Sequence, residues 1–165
     1  MGGHEVSPRV HDPTSTLLLL DTHVLIWAML NEPRLGRQTA KTINVASRQG
    51  RLAVSAITPW EIGLLEMKKR ISLQKDVLEW MREALAKPGL SLVPLEPEIA
   101  IASSGLPFEM HSDPADRILM ATARHLGATL VTADKGLLDV AKKGSFLAMD
   151  AGRSSPRFQV TPGLG

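Results

Sequence analysis

The chain has 165 residues, enough for one ordinary domain with a proper core. At 44% hydrophobic and 22% charged, with 19 basic and 17 acidic residues, it reads as a soluble globular protein with a mild basic bias, which permits contact with a polyanion without requiring it. Cysteine is absent, which excludes disulfides, thiolate metal sites and a cysteine nucleophile and suits a reducing cytosol. In chain order, residues 1–16 form a polar extension containing Pro8 and Pro13, without the basic-then-apolar build of a secretory leader. Short apolar runs at 17–20, 52–56, 90–95, 128–132 and 145–149 read as strands. Helical patterns fall between them at 22–31, 38–49, 58–69, 75–87, 97–104, 114–126 and 135–142. The run 17–20 is leucine throughout, as expected of a central strand covered on both faces. The longest apolar run is broken by Asp21 and His23 and falls short of a membrane span, so no membrane association is expected. The alternation predicts one α/β domain over 17–150 with a mainly parallel sheet. The tail 151–165, rich in Gly, Pro and Ser, is expected to fray.

Four carboxylates stand in suggestive places. In open parallel sheets ligands bind beyond the carboxyl ends of the strands. Asp21 follows the first strand directly, and Asp134, in "LVTAD", follows the fourth by two residues. Each also has a plain reading as a helix N-cap or turn residue. Glu61, in "VSAITPWEI", follows Thr58 and Pro59 as the third member of a capping box, yet it shares a helix face with Leu64 and Leu65. In "HSDPADRILMATA", Asp113 is the cap and Pro114 the first helical residue. Asp116 then projects from the helix mouth, at the edge of a stripe made by Ala115, Ile118, Leu119, Thr122 and Leu126. If the four acids share one edge, their mutual repulsion calls for a counter-charge. An all-oxygen set without cysteine, or histidine at matching spacing, points to Mg²⁺ or Mn²⁺. The chemistry that best uses such a site is phosphodiester hydrolysis.

The pieces "LLLLDTHVLIW", "VSAITPWEI", "HSDPADRILMATA" and "LVTAD", in this order, resemble the PIN-domain nucleases, most closely the VapC-like toxins of type II toxin–antitoxin pairs. The resemblance implies a three-layer α/β/α sandwich with a central, mainly parallel sheet of four to five strands and divalent-metal-dependent endoribonuclease activity. Asp21, Glu61, Asp116 and Asp134 would then be the catalytic and metal-binding acids, Asp21 and Asp116 foremost. It further implies an RNA substrate, a cognate antitoxin, a homodimer and a cytoplasmic location. Two features depart from the family: Ala115 stands where many relatives carry an aromatic, and the N-terminal extension is longer than usual.

On the substrate side, Thr22 and Thr132 are placed to orient a water or a carboxylate. Arg117 and Lys68, the latter with Lys69 and Arg70 at a helix end, are candidate phosphate contacts against a plain reading as solvated cations. His23 and His111 read as structural, and Trp27, Trp60 and Trp80 as core or dimer packing rather than base stacking. A phosphatase reading of Asp21 fails because His23 occupies the position where a second aspartate is wanted, and a phospho-acceptor reading fails because paired acids before the acceptor strand and a lysine on a late strand are missing. A scaffold that binds antitoxin or RNA without cutting is the remaining alternative; the presence of all four acids speaks against it.

Overall fold

Leu18, Leu19 and Leu20 point alternately to the two faces of a sheet, and all three are buried, which is why the run shows no polar alternation. They form strand β1 (Leu18–Leu20) in a computed structural model that describes residues 15–107 and 113–152. Most of the extension, most of the tail, and His111 lie outside the described residues. Strands β2 (Leu52–Ser55), β3 (Leu90–Val93), β4 (Thr129–Thr132) and β5 (Leu147–Asp150) complete a five-stranded, all-parallel sheet of order β3-β2-β1-β4-β5.

The helices are α1 (Thr22–Leu30), α2 (Arg37–Arg48), α3 (Ile57–Met67), α4 (Val77–Leu85), α5 (Pro97–Ser104), α6 (Pro114–Leu126) and α7 (Lys135–Lys142). They cover both faces. On one, Leu18, Leu20, Val54 and Val131 pack with Val24 and Leu25 of α1, Ile43 of α2, Ile62 of α3 and Trp80 and Met81 of α4. On the other, Leu19, Ala53 and Leu130 pack with Leu119, Met120 and Ala123 of α6 and Leu137 and Val140 of α7. The expected three-layer sandwich is therefore present, with β1 at its centre. The chain winds from β1 outward through β2 to β3, then returns to lay β4 against the free side of β1. That reversal makes the carboxyl ends of β1 and β4 the switch point of the sheet, where doubly wound folds open a crevice.

Some boundaries differ from expectation. Helix α3 begins at Ile57, one residue before Thr58, because the Ser55 hydroxyl accepts the Ile57 amide at 3.1 Å. The capping box therefore does not form, and Glu61 is free for another partner. Strand β3 stops at Val93 because Pro94 has no amide to continue the ladder. Leu126 is exposed rather than part of the α6 stripe, and Trp60 is 57% exposed, whereas Trp80 is core.

Gly89 enters β3 with φ +77, and a Cβ there would lie 1.8 Å from the Ser47 carbonyl oxygen. Gly89→Ala is expected to cost about 2–4 kcal/mol from strain and overlap. Gly50→Ala, at φ +69 with nothing within 4 Å, should cost only about 1–2 kcal/mol. Urea unfolding midpoints of the two variants check the difference.

Candidate active site

Asp21 emerges from β1 into a ready-made cradle. Its amide donates to the Val131 carbonyl across the β1–β4 ladder at 3.0 Å, which sets the residue beside Thr132. The Thr132 hydroxyl donates to Asp21 Oδ2 at 2.7 Å, and the Thr22 amide donates to Oδ1 at 2.7 Å. The Asp21 carboxylate is buried, and burial raises its pKa. The Thr132 and Thr22 hydrogen bonds and nearby His23 act in the opposite direction, while Asp134 adds repulsion. Asp134 is indeed the N-cap of α7, accepting the Leu137 amide at 3.0 Å, and its own amide donates to the Thr132 hydroxyl at 3.0 Å.

Glu61 faces this pair from α3. The Thr22 hydroxyl donates to Glu61 Oε1 at 2.9 Å and lies 3.3 Å from the hydroxyl of fully buried Thr58. Burial pushes the Glu61 pKa up to about 7; the Thr22 bond opposes this, and the charges of Asp21 and Asp113 add to it. Asp116 sits in the first turn of α6, its amide donating to Asp113 Oδ1 at 3.1 Å. Burial first, then repulsion from Asp113, Asp21, Asp134 and Glu61, pushes Asp116 up to about 8. The four expected acids therefore act on one another across a single edge, and Thr22 and Thr132 hold two of them. Sequence reasoning missed two contributors. Thr58 is a buried hydroxyl at the site rather than a cap, and Asp113 adds negative charge as well as capping α6. The three-residue spacing of Asp113 and Asp116 was the available signal for the second.

The remaining site residues lie elsewhere. Arg117 corrects the expectation of a phosphate contact: it is 7% exposed, and its guanidinium donates to the carbonyls of Ser103, Ser104, Leu106 and Pro107. Lys68 caps the far end of α3, seven residues beyond Glu61, or about 10 Å along the axis, and does not join the acids. His23 is exposed on the first turn of α1.

Among the described residues no group of three acids or histidines is arranged to cage a metal ion unaided. A divalent cation fits nonetheless, since Mg²⁺ needs only one or two carboxylates and keeps its waters, and a cation would relieve the repulsion that raises these pKa values. The sign of the pH dependence follows. A carboxyl raised in the folded state favours folding while protonated, and that contribution is lost as pH climbs from the ordinary value through the folded one. Chelator-treated protein should therefore lose stability between pH 3.8 and about 8, the span set by Glu61 and Asp116. Mn²⁺ should raise the melting temperature most at the upper end. Calorimetric melts across pH, with and without metal, check this.

Over residues 18–143 the chain matches the family model for the PIN domain. It is 37% identical over 122 residues to Ribonuclease VapC22 of Mycobacterium tuberculosis, covering 74% of this chain and 90% of that protein. Its fold is similar to that in the DNA-bound VapBC structure from Salmonella typhimurium, with TM-score 0.61, 17% identity, and 82% and 98% of the two chains covered. It is also similar to that in VapBC2 from Rickettsia felis bound to a promoter DNA fragment, with TM-score 0.57, 14% identity, and 81% and 98% covered. No helix among the described residues is long and apolar enough to cross a membrane. With a family match that takes in β1, β2, β3 and β4 and every acid of the site, the chain belongs to the PIN domain family.

Proposed function

We propose that this chain is a divalent-metal-dependent endoribonuclease, the toxin of a type II toxin–antitoxin pair acting on cytoplasmic RNA. The observation that carries this reading is its 37% identity with a ribonuclease over 74% of the chain, with the coupled carboxylates at the sheet's switch point in support. Mg²⁺ or Mn²⁺ would supply charge neutralisation at the phosphoryl oxygens and a water of lowered pKa. Asp21 and Asp116 would be its principal ligands, with Glu61 and Asp134 completing an all-oxygen set. The protein's own part is positional. Thr132 and the Thr22 amide fix Asp21, while the Thr22 hydroxyl fixes Glu61 through Oε1 and leaves Oε2 to orient a water or take its proton.

The VapBC assemblies among the solved structures support a cognate antitoxin for this chain. A homodimer is supported by apolar side chains left outside: Trp60 at 57% and Met67 at 67% exposure on α3, and Ile101 at 71% on α5. The deciding experiment incubates purified protein with end-labelled cellular RNA. Cleavage should stop in chelator and return with Mn²⁺ or Mg²⁺. Metal-loaded protein that binds RNA but leaves every strand intact would make the chain a binding scaffold instead.

A further inference from the structure

His23 and Trp27 stand four residues apart on α1, their ring centroids 6.3 Å apart with planes tilted by 58°. Thr22, Val24, Leu25 and Ile26 are buried, His23 is exposed, and Trp27 is half-buried, packed on its inner side against the core. Asn31 ends the helix in the left-handed conformation, φ 52, and the chain folds back to set the Arg34 guanidinium 5.0 Å above the Trp27 ring. Glu32 steadies Arg34 from 3.5 Å, yet the Arg34 side chain remains 65% exposed. Gly36 then donates its amide to the Ala151 carbonyl at 2.9 Å, just past the end of β5. The turn carrying Arg34 is thereby tied to the carboxyl end of β5, two strands across the sheet from the end of β1 where Asp21 stands.

We infer that the strip His23–Trp27–Arg34 receives an unpaired nucleobase, with its phosphate, of the same strand whose cleaved bond lies at the acids. The inference rests on the ribonuclease reading and adds to it the means of holding the strand. The acids alone repel a polyanion, so the edge needs a cationic neighbour, and Arg34 is the guanidinium at that edge fixed against a ring. A guanidinium backed by an indole offers a flat, cationic outer face with little freedom left to lose. Single-stranded RNA is held on such surfaces, its splayed bases stacking on His, Trp or Arg planes, while the same guanidinium fits a phosphate through paired N–H donors. A carboxylate of a protein tail also fits this fork, so an antitoxin segment is the competing occupant that the test must separate.

The test measures binding of a labelled ten-nucleotide single-stranded RNA to protein carrying Asp21→Asn, so that the strand stays whole. Adding Arg34→Ala or Trp27→Leu should weaken binding on the order of ten-fold, the size of one lost base stack. Arg34→Lys should recover little of that loss, although it keeps the charge. In protein with Asp21 intact, Arg34→Ala should raise KM on the order of ten-fold with kcat changed less than about two-fold. Melting curves close to the parent's exclude misfolding, and Arg34, being exposed, is the safer of the two sites. Unchanged RNA binding and KM in both variants would overturn the strip, as would full rescue by Arg34→Lys, or a loss confined to antitoxin binding. If wild-type protein cuts nothing while the variants still weaken RNA binding, the ribonuclease reading fails and the strip stands.

Discussion

Asp21→Asn is expected to lower RNA cleavage on the order of 1,000-fold or more while the protein stays folded. The substitution is isosteric, and the amide oxygen can still accept from Thr132 or from the Thr22 amide. What it removes is the negative charge at the end of β1. A bound metal is worth several kcal/mol of transition-state stabilisation, and each tenfold in rate corresponds to about 1.4 kcal/mol, so losing its principal ligand reaches this magnitude. Stability should move the other way. Asp21 is buried with its pKa raised, so a neutral isostere relieves desolvation and repulsion together, and the metal-free variant should melt at or above the parent temperature near pH 8. Opposite signs for activity and stability are the mark of a site held against its own folding preference. Cleavage by purified Asp21→Asn at a rate near the parent's, with contaminating nuclease excluded, would remove Asp21 from the chemistry.

Arg117→Ala should produce the reverse pattern: a large loss of stability with the chemistry left in place. The guanidinium is buried between α6 and the end of α5, where it donates to the carbonyls of Ser103, Ser104, Leu106 and Pro107. Truncation leaves those acceptors without the guanidinium, the buried Leu106 carbonyl above all, and opens a cavity. Charge-assisted bonds and unsatisfied buried carbonyls are each worth about 1–3 kcal/mol, and since they do not add fully, about 3–4 kcal/mol is expected in total. Lysine cannot restore a fork that spans several carbonyls. The urea midpoint measures the loss, and cleavage per folded molecule, at a temperature where the variant is native, should stay within a few-fold of the parent. A stable Arg117→Ala variant with weakened RNA binding would return this residue to the phosphate contact that its sequence neighbourhood suggested.

These two neighbours show how far the sequence could be read. Asp116 and Arg117 are adjacent, but successive residues on a helix point about 100° apart, so one stands at the mouth of the crevice and the other faces the core. The partners of Arg117 lie on the preceding segment, which no local pattern reveals. Helices α5, α6 and α7 agree with expectation to the residue because Pro97, Pro114, Gly127 and Asp134 punctuate them. Helix α3 does not, because Thr58 is drawn inward beside the Thr22 hydroxyl and Ser55 captures the first amide instead. Glu61 was legible as an inward-facing carboxylate, but its partner, Thr22, comes from another element. The shared edge was inferable from strands and spacing; the hydroxyls that wire it together were not.

The wiring around Thr132 has a further consequence, one of direction. An amide N–H can only donate, so the bond from Asp134 takes one lone pair of the Thr132 oxygen, while the Thr132 hydroxyl donates its proton to Asp21. On the other side of Asp21 stands the Thr22 amide, which is equally unable to reverse. Asp21 is thus met from both flanks by donors, which oppose but do not cancel the rise that burial gives its pKa.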